Sequence, residues 1–373
     1  MNNYAKPILP PATIGILGGG QLGQMMALVA KEMGYKVGVL DPTPDAPAAQ
    51  VADFQIIADY DDVSAIKRLA DKSDVLTYEF ENVDQKAIKK VSDTTYIPQP
   101  ISELETTSNR NKEKGFLQSI GAPVTDYSPV NNADDLLKAY QQISTPAILK
   151  TAEGGYDGHG QFDINNEDDL KEAIKHLDGI EWIYERKQPF VQEVSIMVDR
   201  DVSGKVIVFP LSENIHEDHI LHTSIVPART DDSVHKDAEH IAENIASEMK
   251  LVGVLGIEFF LMKDGSLLVN ELAPRPHNSG HYTIEACNVS QFKAHILSIC
   301  NLSLPDIELI DNAVMVNLLG DNLILGRNEL VNHPNWNFHD YGKAEIKHQR
   351  KMGHITVTGS SIDQLLQDVK LFR

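Results

Sequence analysis

At 373 residues, 42% of them hydrophobic and 23% charged, the chain has material for two or three domains with cores of their own. Fifty-four acidic residues against thirty-three basic ones give a formal charge of -21, which disfavours long nucleic acid as a partner but leaves small anions open to a local cluster of bases and amides. Two cysteines, Cys287 and Cys300, exclude a disulfide framework, and no apolar run approaches a membrane span, so a soluble cytoplasmic protein is expected.

The run Thr13-Ile-Gly-Ile-Leu17 reads as a buried strand, and Gly18-Gly-Gly-Gln-Leu-Gly23 turns it into a helix whose apolar face carries Leu22, Met26, Val29 and Met33. Residues 36–40 form the next strand and end at Asp41, about where a dinucleotide-binding fold keeps the acid that holds a ribose. NAD is therefore one reading of this segment. The glycines serve any anion at a helix N-terminus equally well, including the phosphate of a mononucleotide. Strands at 53–57 and 75–78, with a helix at 63–70 between them, continue a parallel α/β pattern, so residues 1–100 are expected to form an N-terminal Rossmann-like domain.

Residues 103–121 are polar and helix-prone up to Gly121-Ala-Pro123, and their charges, Lys112 and Lys114 among them, are expected to be solvated. A helix at 133–142 and a short strand at 147–149 lead to Lys150 and then to Glu153-Gly-Gly-Tyr-Asp-Gly-His-Gly-Gln161. Such a loop lets backbone amides fold over phosphates, with Lys150 supplying a point charge at the strand end; the alternative is a mobile surface hairpin. After a helix at 167–176, residues 182–190 read as a strand entering a bend whose backbone N–H and C=O groups suit an adenine. Residues 191–200 and 205–210 alternate as antiparallel strands, with Glu193 and Ser195 on one face.

His216, His219 and His222 invite a zinc reading, but residues 220–226 look extended, which puts His219 and His222 on opposite faces and favours separate roles. A helix over 231–249 precedes two strand-like runs, 254–262 and 267–271, joined at Lys263-Asp-Gly-Ser266. Asp-Gly is a hairpin signal, and the hairpin sets Glu258 beside Glu271. Two carboxylates forced together in an apolar setting repel, and a divalent cation relieves that repulsion. Directly after Asn270 and Glu271 come two prolines flanking Arg275, then His277, Asn278 and His281, a rigid donor-rich loop suited to oxyanions. Strands at 313–318, 344–347 and 355–358 and a last helix from Ser361 end the chain. Within this part, Lys343, Lys347, His348, Arg350, Lys351 and His354 form a basic knot able to clamp a phosphate.

Taken together, Lys150, the 153–161 loop, the 184–190 bend, Glu193, Glu258 and Asn270-Glu271 resemble the ATP-grasp ligases. Gly-Gly-Gly-Gln-Leu-Gly-Gln-Met near the start, Ala-Pro-Arg-Pro-His-Asn-Ser-Gly-His in the middle and Arg-Lys-Met-Gly-His near the end resemble, within that group, the family of 5-(carboxyamino)imidazole ribonucleotide synthetases. The resemblance implies an ATP-grasp fold, α/β and α+β, with the Rossmann-like domain at 1–100, the ATP-grasp domain at 101–300 (small lid subdomain about 121–182) and a small C-terminal mixed α/β substrate-binding region at 301–373. It implies a carbon–nitrogen ligase of purine biosynthesis that uses ATP and Mg2+ to join bicarbonate to 5-aminoimidazole ribonucleotide through carboxyphosphate, and a homodimer.

Carried over by position, Glu258 and Glu271 would hold magnesium with Asn270 beside them, while Arg110, Lys150 and Gly155, Tyr156, Asp157, Gly158, His159, Gly160 and Gln161 would hold the phosphates. Glu185, Arg186, Lys187 and Gln188 would line the adenine, Glu193 the ribose, and His216 would lie by the nucleotide. Arg275, His277 and Asn278 would grip bicarbonate or carboxyphosphate. The imidazole ribonucleotide would lie against Gln21, Leu22, Tyr156, Asp157, Lys343, Arg350 and Lys351. The sequence departs from the family pattern at His159, where arginine is commoner, and at His348-Gln349, where Pro-Gly usually precedes Arg350. The rival readings are another ATP-grasp carboxylate–amine ligase, a nucleotide sensor without turnover, and an NAD-dependent dehydrogenase built on residues 13–41.

Overall fold

The computed structural model describes residues 6–80, 83–92, 94–154, 160–177 and 179–372, and among these the chain forms three sheets. The first is parallel, with β1 (Thr13–Leu17), β2 (Lys36–Leu40), β3 (Phe54–Ile56) and β4 (Val75–Tyr78) in the order β3-β2-β1-β4. Its strands read as continuous apolar runs because both faces are covered, as parallel sheets require. Part of that cover comes from far along the chain. Phe292, Ile296 and Ile299 of the helix Gln291–Ile299 share one core with Met26 and Ala30 of the helix Gln21–Glu32.

The second sheet is antiparallel, with β5 (Tyr127–Val130), β6 (Ala147–Thr151), β7 (Gln161–Ile164) and β8 (Trp182–Arg186) in the order β5-β8-β6-β7. The helices Ala133–Gln142 and Glu167–Lys175 pack Leu136, Ala139, Leu170 and Ala173 into its core, each helix starting at an asparagine whose side chain accepts first-turn amides, Asn132 and Asn166.

The third sheet holds β9 (Gln192–Arg200), β10 (Val206–Val208), β11 (Ser212–Glu217), β12 (Ile220–Val226), β13 (Gly253–Leu261), β14 (Leu267–Ala273), β15 (Asn312–Leu319), β16 (Asn337–Asp340) and β17 (Lys351–Gly359). Their order is β14-β13-β9-β11-β12-β15-β17-β16, with β10 paired to β9. The last three strands therefore continue the central sheet through β12 and β15, and every residue of β12 is buried at that join.

Two expectations are corrected, one helix went unread, and the separation expected of the histidines holds. The 103–121 segment is two helices, Ile101–Thr107 and Arg110–Ser119, broken where the Asn109 side chain turns back to accept the amides of Asn111 and Lys112. Residues 344–347 are not a strand; the third C-terminal strand is β16, earlier in the chain. A helix at Gln85–Val91, capped by Asp84, went unread because it is short and polar. The histidine trio is dispersed: His219 sits in the left-handed turn between β11 and β12, with φ 66°, and His222 is buried. Both cysteines are free and buried, with their thiols pushed up to about 12 by burial, which suits packing and not nucleophilic work. No described helix is long and apolar enough to cross a membrane.

Candidate active site

The hairpin of β13 and β14 places Glu258 opposite Glu271, with Gly265 supplying the positive φ that the turn demands. Glu258 is partly buried, and burial, then the charge of Glu271, pushes its carboxyl up to about 7. Such mutual repulsion between facing carboxylates is what a divalent cation relieves. Among the described residues no group of three or more His, Cys, Asp or Glu is arranged to hold a metal. A pair of carboxylates completed by phosphate oxygens and water is the ordinary protein share of a magnesium site, so the donor set fits Mg2+.

Helix Arg110–Ser119 locks this hairpin from behind. Lys114, expected to be solvated, is 1% exposed and donates to the carbonyls of Val269 (3.0 Å) and Asn270 (2.8 Å). Its neighbour Glu113, also buried, accepts the Leu272 amide at 3.2 Å, and burial pushes its carboxyl up to about 8. Arg110 at the start of the helix reaches Glu271 at 3.9 Å.

Lys150, at the end of β6, pairs with Glu185 at 2.7 Å, and Lys114 lies 3.8 Å from the same carboxylate. Burial would push Glu185 up, but Lys150 and Lys114 outweigh it and hold the carboxyl down at about 2. The Glu185 side chain thus braces the Lys150 ammonium. In the bend that follows, Arg186 pairs with Asp126, Lys187 with Asp163, and Gln188 donates to Thr125, while the Arg186 and Lys187 amides donate to the carbonyls of Asp126 and Pro146, so side chains and backbone together fasten the end of β8 to its surroundings. Gly155, Tyr156, Asp157, Gly158 and His159 lie outside the described residues. Gly160 closes their loop with φ 74°, and its carbonyl accepts the Thr151 amide.

One cleft of about 870 Å³ is lined by Gln21 and Leu22 of the first helix, by Arg110 of the helix Arg110–Ser119, by Lys150 and Gln161 of the second sheet, and by Glu193, His216, Glu258, Asn270, Glu271 and Lys351 of the third sheet with Arg275, His277 and Asn278 of the loop after β14. Glu193 and His216 pair at 2.8 Å, and although burial disfavours the charged ring, Glu193 raises its pKa. His277 lies 3.5 Å from Glu258, and burial, then the charge of Arg275, holds its ring well below the usual histidine range. Asn278 carries a structural commitment as well as lining the cleft. Its amide forms a reciprocal pair with Asn317 of β15 (3.0 and 2.6 Å), which stitches the loop to the C-terminal strands and leaves one N–H for a ligand.

The basic knot is only partly as read. Lys343 donates to the Lys351 carbonyl at 2.6 Å, and burial, then Arg350, pushes its ammonium down to about 8, which places Lys343, Arg350 and Lys351 in one neighbourhood. His354 does not belong to it: buried, it stacks on His339 at 4.3 Å and bonds Tyr341. Lys347 and His348 are exposed, and Gln349 adopts φ 59°, a left-handed position that explains why glycine suits it.

The first glycine turn corrects the NAD reading. The Gly20 and Gly23 amides at the helix N-terminus, free in a dinucleotide site, donate to the buried Glu79 carboxylate at 2.5 and 2.7 Å. Asp41 is equally occupied, accepting from Gly19 (2.8 Å), Thr43 (2.7 Å) and the Tyr60 hydroxyl (2.6 Å). An internal carboxylate stands where a pyrophosphate would sit, and a ribose finds no unengaged acid at Asp41. Glu79 was missed although its signal was present: it ends β4 as Asp41 ends β2, where open parallel sheets carry their sites.

Known families match this arrangement along the chain: a ribonucleotide synthetase preATP-grasp domain over residues 11–106, an ATP-grasp domain over 115–292 and a phosphoribosylaminoimidazole carboxylase C-terminal domain over 313–368. The chain is 48% identical over 362 residues to N5-carboxyaminoimidazole ribonucleotide synthase of Bacillus subtilis, covering 97% of this chain and 95% of that one. Among solved structures it resembles the Staphylococcus aureus N5-carboxyaminoimidazole synthetase complexed with ADP (TM-score 0.94, 45% identity, 99% and 98% of the two chains). It also resembles the Aspergillus clavatus synthase in complex with ADP and 5-aminoimidazole ribonucleotide (TM-score 0.90, 31% identity, 97% of each chain).

Proposed function

The chain belongs to the N5-carboxyaminoimidazole ribonucleotide synthase family of ATP-grasp ligases, and from that premise we propose how its cleft divides the work. The enzyme uses ATP and Mg2+ to carboxylate 5-aminoimidazole ribonucleotide with bicarbonate in purine biosynthesis, releasing ADP and phosphate. The observation that carries the assignment of roles is the meeting, in one cleft, of the Glu258–Glu271 pair, the cations Lys150 and Arg110, and the Arg275–His277 loop.

Bicarbonate is a poor electrophile, so one of its oxygens attacks the γ-phosphorus; an O–P bond forms, the bond to the β-phosphate oxygen breaks, and ADP leaves with that electron pair. Lys150 and Arg110 stabilise the charge spreading over the phosphoryl oxygens, with Gly160 and Gln161 serving the same phosphates. Glu258 and Glu271 would hold Mg2+, which when bound neutralises phosphate charge. Arg275 binds the carboxylate end of bicarbonate, and the prolines on either side keep its guanidinium from wandering during the attack. The amine of the ribonucleotide then attacks the carboxyphosphate carbon, phosphate leaves, and the nitrogen gives up a proton. Gln21 and Leu22 on one wall and Lys343, Arg350 and Lys351 on the other would hold that substrate, the three bases taking its 5′-phosphate. Glu193 takes the ATP ribose, with His216 paired to it, and the 185–188 bend lines the adenine. We also propose three working parts, 1–100, 101–300 and 301–373, and a homodimer, which sedimentation velocity checks.

The test is ADP release with ATP, magnesium, bicarbonate and 5-aminoimidazole ribonucleotide, omitting each in turn. Release is expected to collapse without bicarbonate or the ribonucleotide; release indifferent to both refutes the assignment.

A further inference from the structure

His277 stands at the end of a chain of buried hydroxyls. Its Nδ1 lies 2.8 Å from the Ser279 hydroxyl and accepts the Ser279 backbone N–H at 3.4 Å. A backbone N–H can only donate, so Nδ1 is an acceptor and the neutral ring carries its proton on Nε2. Behind Ser279, the Ser195 hydroxyl donates to Ser279 Oγ at 2.7 Å, and the Asn214 side-chain N–H2 donates to Ser195 Oγ at 2.8 Å. Asn214 is oriented in turn by the Ser224 hydroxyl, which donates to its Oδ1 at 2.9 Å. Ser195, Ser224 and Ser279 are 0% exposed, which removes water as a competing partner. On the other side, Gln291 grips the His277 peptide, its Oε1 accepting the amide at 2.9 Å and its Nε2 donating to the carbonyl at 2.7 Å.

We propose that Asn214, Ser195 and Ser279 form a directional hydrogen-bond relay that holds His277 in its Nε2–H tautomer, so that the ring meets an oxygen of the bicarbonate-derived group as a donor and takes no proton from it. Donors run from Asn214 through Ser195 and Ser279 to Nδ1, so a side chain three removed from the cleft reinforces at 2.8 Å what the Ser279 backbone N–H sets more weakly at 3.4 Å. Ser195 and Asn214 are positioning residues in this scheme, and neither lines the cleft. The identity of the oxygen rests on the functional reading above; the tautomer does not.

The relay predicts its own reversal. Asn214→Asp replaces the donor at its head with an acceptor of the same shape: Ser195 turns to donate to it, Ser279 turns to donate to Ser195, and Nδ1 gains a hydroxyl acceptor at 2.8 Å that competes with the long 3.4 Å contact from the Ser279 backbone N–H. Long-range ¹H–¹⁵N spectra of the full chain labelled at histidine, with the His277 signals identified by their loss in His277→Asn, read the tautomer directly. The expected result is Nε2–H alone in the wild-type protein and Nδ1–H taking the larger share in Asn214→Asp. ADP affinity should be retained as a check on folding, with kcat lower on the order of 10- to 100-fold at unchanged KM for ATP, the loss typical of a misdirected group. Nδ1–H in the wild-type protein overturns the proposal, and so does Nε2–H keeping the larger share in folded Asn214→Asp. Should Asn214→Asp fail to fold, Ser279→Ala gives the second reading, a mixture of tautomers where one is seen in the wild type; a single unchanged tautomer there overturns the relay. Wild-type turnover indifferent to bicarbonate would overturn the donor's partner while the ring measurement stands, so the two readings fail on different data.

Discussion

Replacing Lys114 with methionine keeps the length of the side chain and removes its charge. The perturbation is severe because the ammonium is buried, donates to two carbonyls of β14 and lies 3.8 Å from Glu185. Each charge-assisted bond to a carbonyl is worth roughly 1.5–3 kcal/mol net, and breaking a buried ion pair from one side costs about 3–5 kcal/mol. Lys150 still pairs with Glu185, so that carboxylate is not abandoned, and the methionine packs where the lysine stem did. Both effects pull the total toward the lower figures, and a loss of about 3–5 kcal/mol in unfolding free energy is expected. The function should suffer beyond stability, because the carbonyls released are those of Val269 and Asn270, directly before Glu271. Urea denaturation gives the stability, and calorimetric titration of ADP with and without magnesium gives the consequence at the cleft, with the magnesium-dependent part falling furthest. Lys112→Met, two positions away on the exposed side, is the control and should stay within about 0.5 kcal/mol of wild type. A Lys114→Met protein within about 1 kcal/mol of wild type and unaltered in magnesium dependence would refute the reasoning.

Three further outcomes are expected. Glu271→Gln removes charge from the cation pair at a partly exposed position, so ADP release should fall by about 100-fold or more while the denaturation midpoint hardly moves; wild-type turnover would count against the metal assignment. Asp199, fully buried and bonded by Ser298, has its carboxyl raised by burial from an ordinary 3.8 to about 7, so the folded state holds the proton more tightly. Its stabilising contribution is complete below pH 3.8 and is lost as pH rises to about 7; relative to Asp199→Asn, wild-type stability should drop by a few kcal/mol between pH 4 and 8, at about 1.4 kcal/mol per pKa unit, and parallel stability curves would contradict this. Gln349→Gly relieves a left-handed residue and should raise stability by up to about 1 kcal/mol, measured by thermal denaturation; a loss of that size would show the conformation to be unstrained.

How much of this was legible in the sequence depended on whether the signal was local. The glutamate hairpin could be read because Asp264-Gly265 fixes a turn and a turn fixes a register, and the proline-framed loop could be read because proline acts on its own backbone. Lys114 could not. In a polar helical stretch nothing nearby distinguishes a lysine facing water from one facing two strand carbonyls 155 and 156 positions away. The Asn278–Asn317 pair and the relay to His277 are equally non-local, joining residues that share no periodicity. Glu79 is the instructive case, since the glycine turn was seen, its affinity for an anion was understood, and the anion proved to be a side chain of the chain itself.

The join between β12 and β15 also limits how the protein can be cut. Removing everything after about residue 300 at the family boundary would strip β15 from one edge of Ile220–Val226, a strand buried at all seven positions, and leave it paired to β11 alone. The fragment would keep the carboxylate pair and the phosphate lysine yet present a long apolar edge with unpaired amides and carbonyls, a template for pairing with its own kind. Such a truncate should collect in inclusion bodies even though the residues proposed for ATP are all present. On this reasoning the C-terminal strands are a solubility requirement for the sheet they extend, and the two are to be expressed and engineered as one piece.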